Sequence, residues 1–210
     1  MSWSRRNALS ALATGFATVV AGCQSGDEVA GPPDEPEPDA VEPTEIRQVQ
    51  IDGAAVLFTH ADTLPTPDET SNRHRRASAY IASRTEFEEY RWGETPEAGQ
   101  LREFVETTDF EERSVYLLST VVDACHEVRL VSMRRDPDDD PSGDFCHAVR
   151  PADVACDTDD EDTVGFAVRL PYTVPSSTGH GTGMSGDCRG PDRPPAFEAT
   201  VVPRNRSDGS

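Results

Sequence analysis

The chain has no lysine: its 19 basic residues are all arginine, set against 39 aspartates and glutamates, for a formal net charge of -20 over 210 residues. That absence removes P-loop phosphate binding and Ser-x-x-Lys chemistry, both of which need the lysine amine. Cysteines at C-x₂-C spacing are missing too, so a zinc ribbon or finger is not encoded. Internal repeats are absent. A polyanionic phosphate backbone would be repelled almost everywhere along such a chain, which excludes nucleic acid as a partner.

What is present in excess is negative charge. On a compact domain it would destabilise by self-repulsion unless the solvent screens it. At molar salt the Debye length falls to about 3 Å, and neighbouring carboxylates hardly sense one another. An acidic protein built to collect cations or basic partners would concentrate its carboxylates in one run, whereas here they are spread along the chain. In composition the whole chain resembles proteins of salt-loving archaea, with acidic surfaces that use arginine in place of lysine.

The N-terminal stretch "SRRNALSALATGFATVVAGC", residues 4–23, is the longest mild apolar run. Its apolar part, about 16 residues, spans roughly 24 Å as a helix, short of the ~30 Å hydrocarbon core. A core helix would not explain paired arginines followed by an apolar run ending in small residues; the three-part anatomy of a signal peptide does. Arg5-Arg6 resembles a twin-arginine export signal, which implies export of an already folded protein. Val20-Ala21-Gly22-Cys23 resembles a lipobox, which implies that Cys23 becomes the lipid-modified first residue of the mature chain. A two-chain lipid anchor holds without a spanning helix, at about 0.8 kcal/mol per buried CH₂. The expected location is the outer face of the cell membrane.

Residues 24–45 carry five prolines and eight acids with no base, a composition that cannot bury enough surface to fold. Proline and like charge extend such a tether to roughly 70 Å at ~3.1 Å per residue. The organisation expected is therefore a signal peptide at 1–22, an anchored linker at 23–45, a globular domain at 46–203 and a tail at 204–210.

Within the domain, Val164, Phe166, Val168, Leu170 and Tyr172 alternate with polar or small residues and with Arg169, which is period two. Runs at 54–60, 78–82, 115–122, 128–134, 145–154 and 196–202 are further strand candidates. Ser83 to Glu86 is a capping-box pattern, with Phe87, Tyr90 and Arg91 following at helical spacing; a second box at Thr108 to Glu111 predicts a single turn. The fold class expected is mainly β, an antiparallel sandwich or small barrel with one or two short helices. "YIASRTEFEEY" followed by "ETTDFEERSVYLLSTVV" is similar to the C-terminal domain of PrcB-type exported proteins over residues 78–135. That resemblance implies a small β-rich module associated with other proteins and carries no catalytic residues.

Four cysteines remain beyond Cys23. In an exported chain an even number of thiols reads as disulfides, and four allow three connectivities. A hairpin folding about position 140 would oppose residues summing to about 280, favouring Cys125 with Cys156 and leaving Cys146 with Cys188. The competing reading is a metal or small-ligand site drawn from His126, His147 and His180. Adjacent Cys-His residues on a strand point to opposite faces, however, which counts against two ligands from one pair. His60 and His74 have no nameable partners.

Asp136, Asp138 and Asp140 have the spacing of a calcium loop, but Pro141 stands where the glycine is needed and the flanks read as strands. "GTGMSG" at 181–186 matches a dinucleotide fingerprint only formally and reads as a flexible loop. Ser185, His180 and Asp187 are the residue types of a hydrolase triad, without evidence of its geometry. "NRHRR" at 72–76 is the one basic cluster. The functional expectation is a non-enzymatic, membrane-tethered lipoprotein without a cofactor, acting as a structural or protein-interaction module with an envelope protein as partner.

Overall fold

The computed structural model describes residues 39–65, 76–136, 138–174, 179–188 and 200–201. Arg5, Arg6, Cys23, His74 and the tail at 204–210 lie outside them. Strand β1, Asp39–Val41, falls within the stretch that composition assigns to the linker, and β2 (Glu45–Asp52) follows it at once. The order continues β3 (Phe58–Thr59), β4 (Arg76–Ile81), α1 (Arg84–Glu89), β5 (Arg91–Trp92), α2 (Pro96–Glu106), β6 (Ser114–Asp123), β7 (His126–Arg135), β8 (Pro141–Val149), β9 (Glu161–Leu170), β10 (Gly181–Ser185) and β11 (Thr200–Val201).

A central sheet runs β11-β2-β9-β6-β4 and a second sheet β1-β7-β8-β10, with β3 and β5 forming a separate pair. The pairings are antiparallel except that β10 joins β8, and β11 joins β2, in parallel. The two larger sheets do not close on one another, so the sandwich alternative describes the fold and the barrel does not.

Period two decides what each face of the central sheet meets. Val115 and Leu117 on β6, and Ala167 on β9, face a layer built from Phe87, Leu101, Phe104 and Val105 of the two helices. Tyr116 and Leu118, with Val164, Phe166, Val168 and Leu170, face Val128, Leu130, Met133 and Phe145 of the second sheet, and Tyr172 packs against the same cluster. A sheet covered on both sides must be apolar in both registers, which "SVYLLSTVVD" and "EDTVGFAVRL" are. Arg169 lies on the helix side. It donates to the Phe104 carbonyl at 2.9 Å, stacks over the Phe104 ring at 4.3 Å and pairs with Glu45.

The cap at Ser83 forms as expected, with the reciprocal bond shifted by one residue. Ser83 Oγ accepts from the Glu86 amide at 3.2 Å, and the Glu86 carboxylate reaches back to the Ala82 amide at 2.6 Å. The single turn expected at the second box forms, with the Arg113 amide donating to the Asp109 carbonyl at 2.9 Å, but Thr108 does not cap it: its Oγ1 donates to the Phe104 carbonyl, closing the end of α2, and the Asp109 side chain accepts from the Glu111 amide. Helix α2 itself was not anticipated. Its signals are Thr95 as N-cap, Pro96 in the first turn, and burial of Ala98, Leu101, Phe104 and Val105; Gly99 in the middle obscures them.

Other expectations change in extent. Of the run 54–60 only Phe58–Thr59 is strand, and 145–154 is replaced by Pro141–Val149. The "GTGMSG" stretch is no loop: β10 runs through it. A Cβ at Gly181 would sit 2.6 Å from Ser142 Oγ and one at Gly183 would collide with the Asp144 carboxylate, so these glycines let the strand lie flat against β8.

Gly165 lets the central sheet approach Leu57 and helix α2 closely. A Cβ there would lie 2.8 Å from Leu101 and 2.9 Å from Val49, and nearer still to Leu57. Gly99 has nothing within 4 Å of the same position. Two alanine substitutions should therefore move stability in opposite directions by urea unfolding. Gly165→Ala is expected to cost about 1–3 kcal/mol through overpacking, and Gly99→Ala to add about 0.4–1 kcal/mol by restricting the unfolded chain.

Candidate functional site

Disulfides join Cys125 to Cys156 and Cys146 to Cys188, 31 and 42 residues apart in sequence. The first pair matches the hairpin estimate, but not through the ladder. His126↔Val149 and Arg135↔Pro141 sum to 275 and 276, not 280. The chain leaves β8 after Val149, Arg150 bonds back to the Cys125 carbonyl at 2.9 Å, and a further loop carries Cys156 over the same end. Beneath that loop is a cavity of about 380 Å³ lined by Asp52, Arg150, Asp157, Asp160, Glu161 and Asp162. Arg150 and Asp162 form a buried ion pair at 2.6 Å, and Gln50 donates to the same Asp162 oxygen at 2.8 Å. These groups satisfy one another and close the end of the sandwich.

The three histidines of the metal reading separate. His126 and His147 lie on neighbouring strands with ring centroids 6.4 Å apart. His180 lies elsewhere, its Nε2 3.1 Å from Ser78 Oγ and its ring edge-on to Tyr116. No group of three potential metal ligands occurs among the described residues. The Asp136, Asp138 and Asp140 stretch is the tip between β7 and β8, flanked by strands; Asp139 holds a positive φ there, and Asp140 accepts from the Gly179 amide. Nor do Ser185 and His180 meet. One is in β10 and the other immediately precedes it, five residues apart on extended chain, which is roughly 16 Å. Ser185 Oγ donates to the Phe145 carbonyl at 3.3 Å. Among the described residues no carboxylate contacts His180 to orient it toward Ser78.

Tyr116 ties the second sheet to the first. Its hydroxyl, held protonated by burial with a pKa raised to about 12, donates to the Gly181 carbonyl at 2.9 Å beside Thr182.

The arrangement least expected from the sequence is on the helix side. "EFEEYRW" does not continue as a helix. It ends at Glu89, and Tyr90 is extended (φ -84°, ψ 141°), which turns Arg91 and Trp92 into β5 against Phe58 and Thr59. Gly93 permits this. Its amide donates to the Leu57 carbonyl at 2.9 Å, and a Cβ there would strike the Val56 carbonyl. The outcome is an aromatic cluster, with Phe58 6.2 Å from Tyr90 and 6.0 Å from Trp92, Phe87 5.9 Å from Trp92, and His60 5.2 Å from Tyr90.

A recess of about 370 Å³ opens on this cluster, lined by Phe87, Glu88, Tyr90, Arg91, Trp92 and Arg102. The guanidiniums of Arg91 and Arg102 hold no hydrogen-bond or ion-pair partner among the described residues, whereas those of Arg129, Arg134, Arg135, Arg150 and Arg169 each hold a carboxylate and those of Arg76 and Arg84 a backbone carbonyl. The Trp92 indole N–H is buried and unbonded among the described residues. Burial, followed by the charges of Glu86 and Glu89, raises the Tyr90 pKa and keeps its phenol protonated. The sequence signal was the aromatic density at 87–92 closed by Gly93, masked by its resemblance to helical spacing.

No family model matches the chain, and neither a curated protein nor a solved structure matches it.

His147 gives this region of the second sheet a pH response. Burial first, then the neighbouring His126 and Arg76, lower its pKa, against an opposing pull from Asp123. The unfolded chain then binds a proton at His147 more readily than the folded one. Its neutral form is fully compatible with folding above about pH 6.5, the unfolded value, and stability is lost as pH falls below it. Thermal unfolding between pH 7.5 and 5.5 should show a falling Tm that His147→Gln flattens; an unchanged slope in the variant would show that other groups carry it.

Proposed function

We propose that the chain is a non-enzymatic lipoprotein held at the outer face of the cell membrane by lipid on Cys23, serving as a protein-interaction module for an envelope partner. The Arg5-Arg6 export pattern, the Cys23 motif and the acidic, proline-rich residues that follow support the tether. Two disulfides suit a compartment that does not reduce thiols. One observation carries the interaction reading: in a chain of net charge -20, two unpartnered guanidiniums flank an aromatic recess. Interface hot spots are enriched in tryptophan, tyrosine and arginine, the three residue types gathered here.

The module reading has a direct test. Photo-crosslinking through a residue on the rim of the recess, in intact cells, should trap an envelope protein, and Trp92→Ala should abolish the adduct. Recovery of only the uncrosslinked chain would count against it. The tether is read by intact mass of membrane-extracted protein, expected to lack residues 1–22, to carry lipid and to fall four protons below the reduced form. The salt-adapted reading predicts a Tm that rises between 0.15 M and 1 M KCl, as the Debye length shortens from about 8 to about 3 Å; a flat or falling Tm would oppose it.

A further inference from the structure

We infer that the recess between α1, β5 and α2 binds an extended acidic segment of a partner protein in which carboxylates alternate with proline; this rests on the module reading above.

Charge comes first. Six arginines of the described residues are quenched by carboxylates, as Arg129 is by Glu127 and Arg134 by Asp144, while Arg76 and Arg84 donate to the backbone carbonyls of Thr182 and Glu106. With acids outnumbering bases 39 to 19, the guanidiniums of Arg91 and Arg102 still have no hydrogen-bond or ion-pair partner among the described residues, and both line one recess. The nearby acids do not use them: Glu89 pairs with His60 at 3.2 Å, and Glu86 is engaged at the start of α1. Glu88 is the only carboxylate in the lining. Guanidinium forks match carboxylates in bidentate geometry, so the free arginines specify anionic groups on the ligand.

Shape and surface then narrow the ligand. The floor and walls are Phe87, Tyr90 and Trp92, and grooves lined by aromatic rings take proline-bearing extended segments, whose preformed backbone loses little entropy on docking. Such a segment also has backbone carbonyls at each residue, acceptors for the protonated Tyr90 hydroxyl. A basic segment would meet two guanidiniums. A long polyanion such as a nucleic acid would extend past the two guanidiniums into the net charge of -20 around them, whereas a short segment stays beside them.

The chain has two tryptophans, Trp3 and Trp92, so the full chain carrying Trp3→Phe reports on the recess by its emission alone. In 1 M KCl it would be titrated with a capped peptide, Glu-Asp-Pro-Glu-Asp-Pro, and with the amide twin Gln-Asn-Pro-Gln-Asn-Pro. The acidic peptide is expected to give a saturable change in emission. Binding should be about tenfold weaker or worse for the twin, and likewise for Arg91→Gln/Arg102→Gln, the loss expected when charge-assisted hydrogen bonds go. Both arginines are exposed, so an unchanged Tm certifies that the variant is folded. No saturable change, or equal binding of the twin, overturns the inference. If the acidic peptide fails while Trp92→Ala still abolishes the envelope adduct, the partner chemistry is wrong and the module reading stands; if the adduct also survives Trp92→Ala, the recess loses both.

Discussion

The constraint on which the domain depends is the double burial of β6 and β9. Their ten register pairs, from Ser114↔Leu170 to Asp123↔Glu161, run without a bulge through the middle of the central sheet. Each strand must supply apolar contacts to the helices with one set of residues and to the second sheet with the next. The polar groups drawn in are satisfied locally: Thr163 Oγ1 donates to the Gly53 carbonyl and accepts from the Ala55 amide, both at 2.8 Å, and Ser114 Oγ donates to the Tyr172 carbonyl at 2.7 Å. A slip of one residue would exchange every such pairing for a buried orphan. Register is therefore fixed from the centre, and the helix layer takes its position from the notch at Gly165.

This explains how much was legible in the letters. Strands with clear alternation, such as the one ending at Leu170, could be read directly, as could the cap at Ser83, because the physics of both is local. Helix α2 escaped because Gly99 interrupts its pattern, and its burial is decided by the sheet it covers rather than by neighbours in sequence. Strand β10 escaped for the converse reason. Its glycines look like loop residues alone, and become strand residues only when Ser142 and Asp144 lie opposite. The recess was the least legible feature. Phe58 and Trp92, 34 positions apart, meet through a two-residue ladder, and no spacing rule reaches that far.

The cysteine pairing is a more cautionary case. The hairpin estimate selected Cys125 and Cys156, yet the ladder is offset from it by four to five residues, and a loop after Val149 restores the proximity. Histidines show the limit of residue type as a guide: His126, His147 and His180 were grouped by chemistry, and the topology brings two together while sending the third to Ser78. By contrast, the unpartnered state of Arg91 and Arg102 has no sequence signature. It depends on what their neighbours already hold.

Strand β1 is three residues long and sits at the margin of the second sheet, with Asp39 opposite Arg135 and Val41 opposite Met133. Among the described residues it is the first element from the N-terminal side. If the chain is moored there, tension from the mooring arrives at this strand before any other, and a strip of three pairings on an outer margin peels bond by bond. The next segment, β2, is gripped along eight positions by β9. A chain moored there would carry a short sacrificial length, with three pairings to lose, ahead of its core.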